Sequence, residues 1–411
     1  YDLTPRDRIG LFTFGSFDFL SSTEDDIETV IFGQEFYRAD LRYDRKMPNG
    51  GFLRAAVTAG FDQTRLFASR NSQNFLYGSR MRVTQPVRDD LTVRAGVDMT
   101  VDNYQATAPR FADPDNPGLQ RFDDLFPPRS DNAMALWADV VWKVNPRFEI
   151  TPGLRYDQYI SQGAFGASVD PRISAVTKVH PRIRLLQAAG LANQPPSFSV
   201  PLPGFAVASL RGGLQRSVQL SSGIEGKLPY EVTATVTGFT NAFFNLTDAL
   251  GSQVDPTDPT LPRSLGSTKG LEIYIRRSLA KRFGGFVSYT LSRTTRSVGR
   301  ERLVATFDRT HVLNSGVGYN LGGGWKTGLR FSVFSGTPTA PIPADSPPGT
   351  QLRDPAFYRL DFRAEKRWKI AETGFISFVA EMINITLNRE VIAGEPLPPV
   401  TVPSLGLEGG F

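Results

Sequence analysis

The chain alternates apolar and polar residues with a period of two along its whole length, and this pattern limits the folds that it can adopt. Between residues 91 and 102, for example, Leu91 and Val97 alternate with the charged residues Arg94 and Asp98. Successive side chains of a β-strand point to opposite faces of the sheet, so such a segment has one apolar and one polar face. Spacing typical of an amphipathic helix is nearly absent, and we therefore expect an all-β protein.

The alternation predicts about eighteen antiparallel strands of about 9–13 residues, and a tilted strand needs about 9–11 residues to cross a bilayer. The predicted strands cover residues 7–19, 36–45, 52–62, 75–85, 91–102, 133–145, 147–159, 170–180, 182–191, 217–227, 231–243, 266–278, 283–295, 308–321, 325–336, 356–369, 374–387 and 403–411. Because they follow one another from end to end, we expect a single domain over residues 1–411.

The predicted connections alternate between tight turns and long polar loops. Tight turns are expected at residues 46–51, 145–146, 180–181, 228–229, 279–282, 322–324 and 371–373. Long loops are expected at residues 20–35, 63–74, 103–132, 192–216, 244–265, 337–355 and 388–402. This asymmetry is typical of outer-membrane barrels, which have short periplasmic turns and longer extracellular loops.

The two faces of the predicted strands decide between a barrel and a two-sheet sandwich, which would also alternate. One face carries charged residues that we expect to line the barrel interior, namely Arg94, Asp98, Arg147, Glu149, Arg359, Asp361, Arg363 and Glu365. The other face carries aromatic residues near strand ends, namely Trp142, Tyr156, Tyr319, Trp325 and Trp368. In water such an apolar face would promote aggregation, whereas in lipid it forms the usual aromatic girdle. We therefore predict a transmembrane antiparallel β-barrel of the bacterial outer membrane.

Several kinds of chemistry are not supported by the sequence. It has no cysteine, and its two histidines, His180 and His311, have no nearby partners at metal-ligand spacing. Gly322-Gly323-Gly324 before Trp325 has no helix after it and indicates a tight turn, not a phosphate-binding loop. A net charge of only +5 argues against a nucleic-acid-binding arm. We expect no metal, no cofactor, no nucleic-acid partner and no enzymatic activity.

The C-terminal residues indicate how the protein would enter its membrane. Leu405, Leu407 and the terminal Phe411 fall on the apolar face of the last predicted strand. A terminal Phe in this position resembles the signal that the bacterial outer-membrane assembly machinery reads. We expect that machinery, and the lipid and lipopolysaccharide of the outer membrane, to be partners.

A family resemblance is carried by short segments that occur in a fixed order along the chain. They are Asp170 to Ser174 followed by Gly190 to Ser197, Gly266 to Glu272, Phe283 to Ser292, Phe307 to His311, Glu381 to Thr386, and Leu405 to Phe411. Together they resemble the barrel portion of TonB-dependent outer-membrane receptors. The resemblance implies a barrel of about 22 strands, filled by an N-terminal plug through which the TonB complex supplies energy. Since this sequence offers about eighteen strands and no plug, we expect the plug and about four strands to be missing from it.

The resemblance implies energised uptake of a large or scarce ligand, with Arg359, Arg363 and Glu365 as candidate wall residues. Two alternatives stay open. One is a passive porin-like channel, since a closed barrel of about eighteen strands is physically allowed and arginines in its interior would favour anions. The other is a structural barrel that serves as a platform for a surface lipoprotein. The Pro- and Phe-rich loop at residues 103–132 is a candidate docking surface or ligand lid.

Overall fold

The computed structural model describes residues 1–24, 27–66, 70–107, 128–196, 210–246, 264–279, 282–298, 301–305, 308–339, 352–370, 372–392 and 394–410. Its strands are β1 (Asp7–Glu24), β2 (Ile27–Lys46), β3 (Phe52–Leu66), β4 (Arg70–Arg88), β5 (Leu91–Thr107), β6 (Arg129–Asn145), β7 (Phe148–Ser161), β8 (Ala164–His180), β9 (Ile183–Gln194), β10 (Gln215–Lys227), β11 (Val232–Leu246), β12 (Ser264–Arg277), β13 (Phe283–Val298), β14 (Glu301–Val304), β15 (His311–Gly322), β16 (Trp325–Phe334), β17 (Phe357–Ile370), β18 (Gly374–Ile383), β19 (Val391–Ile392), β20 (Glu395–Pro396) and β21 (Val402–Gly410). Two short 3-10 helices cover Pro48–Gly50 and Leu210–Gly212. No helix in these residues is long and apolar enough to span a membrane.

The strands confirm the predicted all-β fold class. All of them except β19 and β20 belong to one sheet of 19 strands, and every strand pair whose register is resolved runs antiparallel. Each of the eighteen predicted strands corresponds to one long strand in the same order. The sequence analysis missed β14, β19 and β20, which have only two to four residues and show no alternation of their own.

Contacts between Cα atoms divide the chain into two units. The first contains Tyr1–Ser174, Gly190–Val218 and Phe243–Ser264. The second contains Ala175–Ala189, Gln219–Ala242 and Leu265–Phe411. The expectation of a single domain over residues 1–411 stays a prediction.

In the first unit, β1 to β7 pair with their sequence neighbours, and the registers place apolar residues in rows. One such row runs through Leu11, Leu41 and Val57, which face one another on β1, β2 and β3. All three side chains are about half exposed or more. The apolar face of this unit is therefore open to its surroundings.

In the second unit, β13, β15, β16, β17, β18 and β21 pair in that order. The registers again produce an apolar row, here Val317, Leu329, Phe362 and Met382. These four side chains are exposed. Each unit thus has an exposed apolar face. The opposite face of each unit is called its polar face below.

Burial is inverted relative to a water-soluble protein. The buried hydrophobic core residues among those described are Ala135, Leu210 and Val379, whereas nineteen polar or charged residues are buried. A two-sheet sandwich would bury its apolar face between the sheets. The structure therefore argues against the sandwich.

The connections follow the predicted alternation only in part, since residues 162–163 alone separate β7 from β8. In the first unit, tight connections at residues 47–51, 89–90 and 146–147 lie at one edge of the sheet, called the turn edge. The opposite edge, called the loop edge, includes the long connection at residues 108–128. The predicted long loops at residues 20–35 and 63–74 are wrong, because the strands continue through most of both segments. Strand pairing continues there through polar residues such as Ser21 and Gln63.

Candidate functional site on the polar face

Arg94 and Asp139 form the centre of a charged network on the polar face of the first unit. The Arg94 guanidinium on β5 donates to Asp139 on β6 at 2.5 Å, and Arg172 on β8 donates to the same carboxylate at 3.2 Å. Asp139 is only 6% exposed, so two cations compensate for its loss of water. Gly153 lies directly opposite Asp139, and a Cβ there would come within 2.8 Å of the Asp139 Cβ. This glycine leaves the space in which Arg172 reaches the carboxylate.

Asp98 lies in a second network on the same face. It accepts hydrogen bonds from Arg80 on β4 at 2.9 Å and from Arg155 on β7 at 3.4 Å. Arg155 also donates to both carboxylate oxygens of Asp157, at 2.8 and 2.9 Å. Each of these four charges is therefore balanced by a charge on its own strand or on a neighbouring one.

Arg147 and Glu149 occupy different settings. Arg147 lies in the turn before β7, where its backbone N–H donates to the Asn145 side chain at 2.8 Å. Its expected position within a strand is wrong by one residue, since Pro146 and Arg147 together form the turn. Glu149 is in β7, opposite Lys143 of β6.

In the second unit, Arg363 on β17 lies close to three carboxylates on the polar face. Its guanidinium donates to Glu381 on β18 and to Glu408 on β21, the latter at 2.9 Å, and lies 3.9 Å from Glu365. Glu365 also accepts hydrogen bonds from Arg367 at 3.1 Å and from the Ser377 hydroxyl. One arginine thus joins three neighbouring strands.

Arg359 and Asp361 continue this wall along β17. Their side chains form an ion pair at 3.0 Å. Asp361 also accepts a hydrogen bond at 2.9 Å from the backbone N–H of Asn384, the residue that follows β18. The pair therefore connects the charged wall to the loop edge.

A recess of about 700 Å³ opens beside Arg363 on the polar face of this unit. Gly316, Gly318 and Gly328 lie on adjacent strands and leave the wall without side chains at this level. Phe286 projects into the space, since a Cβ on Gly316 would come within 2.7 Å of its ring. Arg276 and Arg330 border the recess, and neither makes an ion pair within the part of the chain that the structure describes. Among the described residues, the recess therefore offers two arginines that form no ion pair.

Asp308 anchors the loop edge of the second unit. It is buried, and it accepts hydrogen bonds from Arg353 and from the backbone N–H of Thr294, both at 2.5 Å. Arg353 also donates to the backbone carbonyl groups of Asp308 and Gly336. Arg353, which precedes β17, thus contacts both Asp308, which precedes β15, and Gly336, which follows β16.

Asn384 is a second anchor at the same edge. It is 2% exposed, and its side-chain amide donates to the carbonyl groups of Asn388 and Val400 at 3.1 and 3.3 Å. Asn384 belongs to the segment Glu381 to Thr386, and Asp308 to Phe307 to His311, both of which carry the family resemblance. Their role as anchors was not predicted, because partners such as Arg353 and Val400 lie 45 and 16 residues away in the sequence.

The C-terminal strand places Leu405 and Leu407 on the apolar face, where about three quarters of each side chain is exposed. Glu408 points to the other face and reaches Arg363. Phe411 lies outside the described residues, as does most of the predicted loop at residues 103–132. Within the residues that are described, no group of three or more His, Asp or Glu side chains could hold a metal ion.

The sequence matches the family described as TonB dependent receptor-like, beta-barrel, over residues 2–388. The chain belongs to this family. It is therefore a protein of the bacterial outer membrane, as predicted. No curated protein sequence matches the chain.

Solved structures of similar fold come from the same receptor class. The FrpB iron transporter from Neisseria meningitidis aligns with a TM-score of 0.68 and 11% identity, over 98% of this chain and 69% of that chain. The ferric yersiniabactin uptake receptor FyuA from Yersinia pestis aligns with a TM-score of 0.66 and 12% identity, over 98% and 67%. The ferripyoverdine receptor of Pseudomonas aeruginosa aligns with a TM-score of 0.68 and 13% identity, over 100% and 63%. At these identities the similarity establishes the fold alone.

Proposed function

We propose that the chain is the barrel of a TonB-dependent receptor that takes up a large or scarce ligand across the outer membrane with energy from the TonB complex. The family match over residues 2–388 is the observation that carries this proposal. The chain covers 63–69% of the three receptors compared above, so the activity of the whole protein is part of the proposal.

The ligand class that we infer first is a ferric chelate. Two of the similar structures are named for ferric yersiniabactin uptake and for binding ferripyoverdine, and a third is named as an iron transporter. We infer that the polar face lines the barrel interior. In the second unit this face supports a role for an anionic ligand, because Arg276 and Arg330 border an open recess. In this proposal the loops bind ligand outside, a plug moves to open a path, and the arginines make transient polar contacts.

The test is an uptake assay with iron-55 bound to ferripyoverdine or ferric yersiniabactin, in cells that express the full-length protein in place of their own receptors. Energised uptake predicts that a protonophore abolishes accumulation of iron while surface binding persists. A passive channel of about eighteen strands would pass the chelate with the protonophore present and would show steady conductance in planar bilayers. If neither chelate binds to the cells or accumulates in them, both are excluded as ligands.

Further partners also remain proposals. We infer that Leu405, Leu407 and Phe411 form the signal recognised by the outer-membrane assembly machinery, which the exposed apolar face of β21 supports. A platform role for surface lipoproteins would require binding of a lipoprotein without uptake of ligand. We propose the receptor role over an enzymatic one because the family and the similar structures are receptors and transporters.

A further inference from the structure

A second recess, of about 330 Å³, opens at the loop edge of the first unit. Its walls are Phe17 and Phe19 of β1, Glu35 of β2, and Gln63 and Arg65 of β3, and Gly33 of β2 lies between them. Phe17, Glu35 and Gln63 face one another across the three strands, as do Phe19, Gly33 and Arg65. The depression exists because Gly33 contributes no side chain to the middle of its row.

The recess lies on the apolar, outward face, just beyond a row of aromatic residues. Tyr37, Phe61 and Phe75 form this row, with ring centroids 6.5 and 5.2 Å apart. Aromatic rows on the outer face of such barrels mark the level of the lipid headgroups. Glu35 and Gly33 follow Tyr37 at two-residue steps toward the loop edge, each about 7 Å along a strand. The recess is therefore level with the outer-leaflet headgroups or just above them.

The lining of the recess has one positive and one negative side chain, and hydrogen bonds fix the position of its polar groups. Arg65 donates to Glu35 at 2.9 Å, and the Tyr37 hydroxyl donates to the other carboxylate oxygen at 3.3 Å. The side-chain oxygen of Gln63 accepts a hydrogen bond from the side-chain amide of Gln73 at 3.2 Å. With one cation paired to one anion, the recess favours neither a phosphate nor an ammonium group. Arg65 and Gln63 still have further N–H groups with which to donate hydrogen bonds.

Two aromatic rings provide the remaining surface. Phe17 and Phe19 have centroids 5.4 Å apart, and their side chains are 51% and 52% exposed. The electron-rich face of an aromatic ring attracts C–H groups, and fixed polar groups beside it can bind hydroxyl groups. A pyranose ring has both features, an apolar C–H face and a rim of hydroxyls. The volume is at the lower end of the range of about 300–1,000 Å³ usual for small-molecule sites.

We propose that this recess binds a neutral sugar ring carried by a glycolipid of the outer leaflet. The inference depends on the outer-membrane location and is independent of the uptake proposal. A free sugar presents the same ring chemistry, but a ring anchored in the adjacent membrane is held at the level of the recess and loses less freedom on binding.

The test uses the full-length protein in nanodiscs and native mass spectrometry. The probes are monoglucosyl diacylglycerol, phosphatidylethanolamine and soluble methyl β-glucopyranoside. Gly33→Ile fills the recess, and Gly10→Ile is the matched control, since Gly10 lies on β1 with nothing within 4 Å of its Cβ position. We expect Gly33→Ile to weaken glucosyl lipid binding about fivefold or more, as loss of aromatic and hydrogen-bond contacts implies, and Gly10→Ile to bind as wild type.

Several outcomes would overturn the proposal. They are equal binding of the glucosyl lipid to wild type and Gly33→Ile, or equal retention of the glucosyl lipid and phosphatidylethanolamine by wild type. Methyl β-glucopyranoside binding as tightly as the glucosyl lipid would overturn the lipid-borne source. Folding is checked by the heat-dependent shift in gel mobility. If Gly33→Ile does not fold, the double variant Phe17→Ser with Phe19→Ser replaces it with the same expected loss.

Discussion

At the scale of single residues, Arg363 shows how charges are held on the polar face of the sheet. Its guanidinium contacts Glu381 and Glu408 and lies close to Glu365, so one cation separates three carboxylates. The sequence predicted that Arg363 and Glu365 share a face, because alternation fixes the face of every strand residue. It did not predict Glu381 and Glu408 as partners, because the register between strands is set by the fold.

Arg363→Ala should destabilise the protein, because it removes the arginine that Glu381 and Glu408 share, whereas Glu365 keeps its contact with Arg367. The site is part exposed, so we expect the free energy of unfolding to fall by about 1 kcal/mol, between the values typical of exposed and buried pairs. Arg330→Ala is the matched control, since Arg330 lies on the same wall without an ion pair in the described chain. Urea unfolding followed by tryptophan fluorescence measures both variants. Equal destabilisation by the two would contradict this account of Arg363.

At the scale of elements, the turn between β15 and β16 depends on three consecutive glycines with positive φ. Gly322, Gly323 and Gly324 have φ of 86°, 59° and 85°. A Cβ would have open space at the first two, but at Gly324 it would lie 2.2 Å from the carbonyl oxygen of Arg367 on the neighbouring strand. The sequence predicted the turn from these glycines, but not that only one of them is closely packed.

Alanine substitutions should therefore differ across the turn. Gly323→Ala, close to the left-handed helical region, should cost about 1 kcal/mol, whereas Gly324→Ala should cost about 3 kcal/mol or prevent assembly, since strain and a backbone clash add. The fraction of folded protein on semi-native gels, together with the midpoints of urea unfolding, shows which variant is less stable. Equal costs for the two variants would mean that the approach of β17 to Gly324 does not constrain the turn.

The long strands could be predicted from the sequence, but some strand ends and both recesses could not. All eighteen long strands were predicted, because membrane-facing residues must be apolar on every second position. The ends of β1 and β2 were missed, since Ser21, Ser22 and Thr23 are polar and resemble a loop. Both recesses were missed as well, because each requires a glycine to meet particular side chains across strands. Glycine positions are visible in the sequence, but the cross-strand register is not.

At the scale of the whole molecule, we propose that apolar side chains face lipid and that charged side chains face a water-filled interior. Composition alone does not indicate this arrangement, because a hydrophobic content of 40% is ordinary for a soluble protein. The structure supports the inversion, with exposed Leu329 and Phe331 alternating with Arg330 along β16.

Spin-label accessibility in bilayers distinguishes side chains that face lipid from side chains that face water. The chain has no cysteine, so single Cys substitutions of Leu329, Arg330, Phe331, Asp98 and Met99 carry the label without background. The account predicts greater accessibility to oxygen, which concentrates in lipid, at Leu329, Phe331 and Met99. It predicts greater accessibility to a water-soluble nickel chelate at Arg330 and Asp98. Low accessibility to both reagents at Leu329, Phe331 and Met99, as in a buried sandwich core, would contradict it.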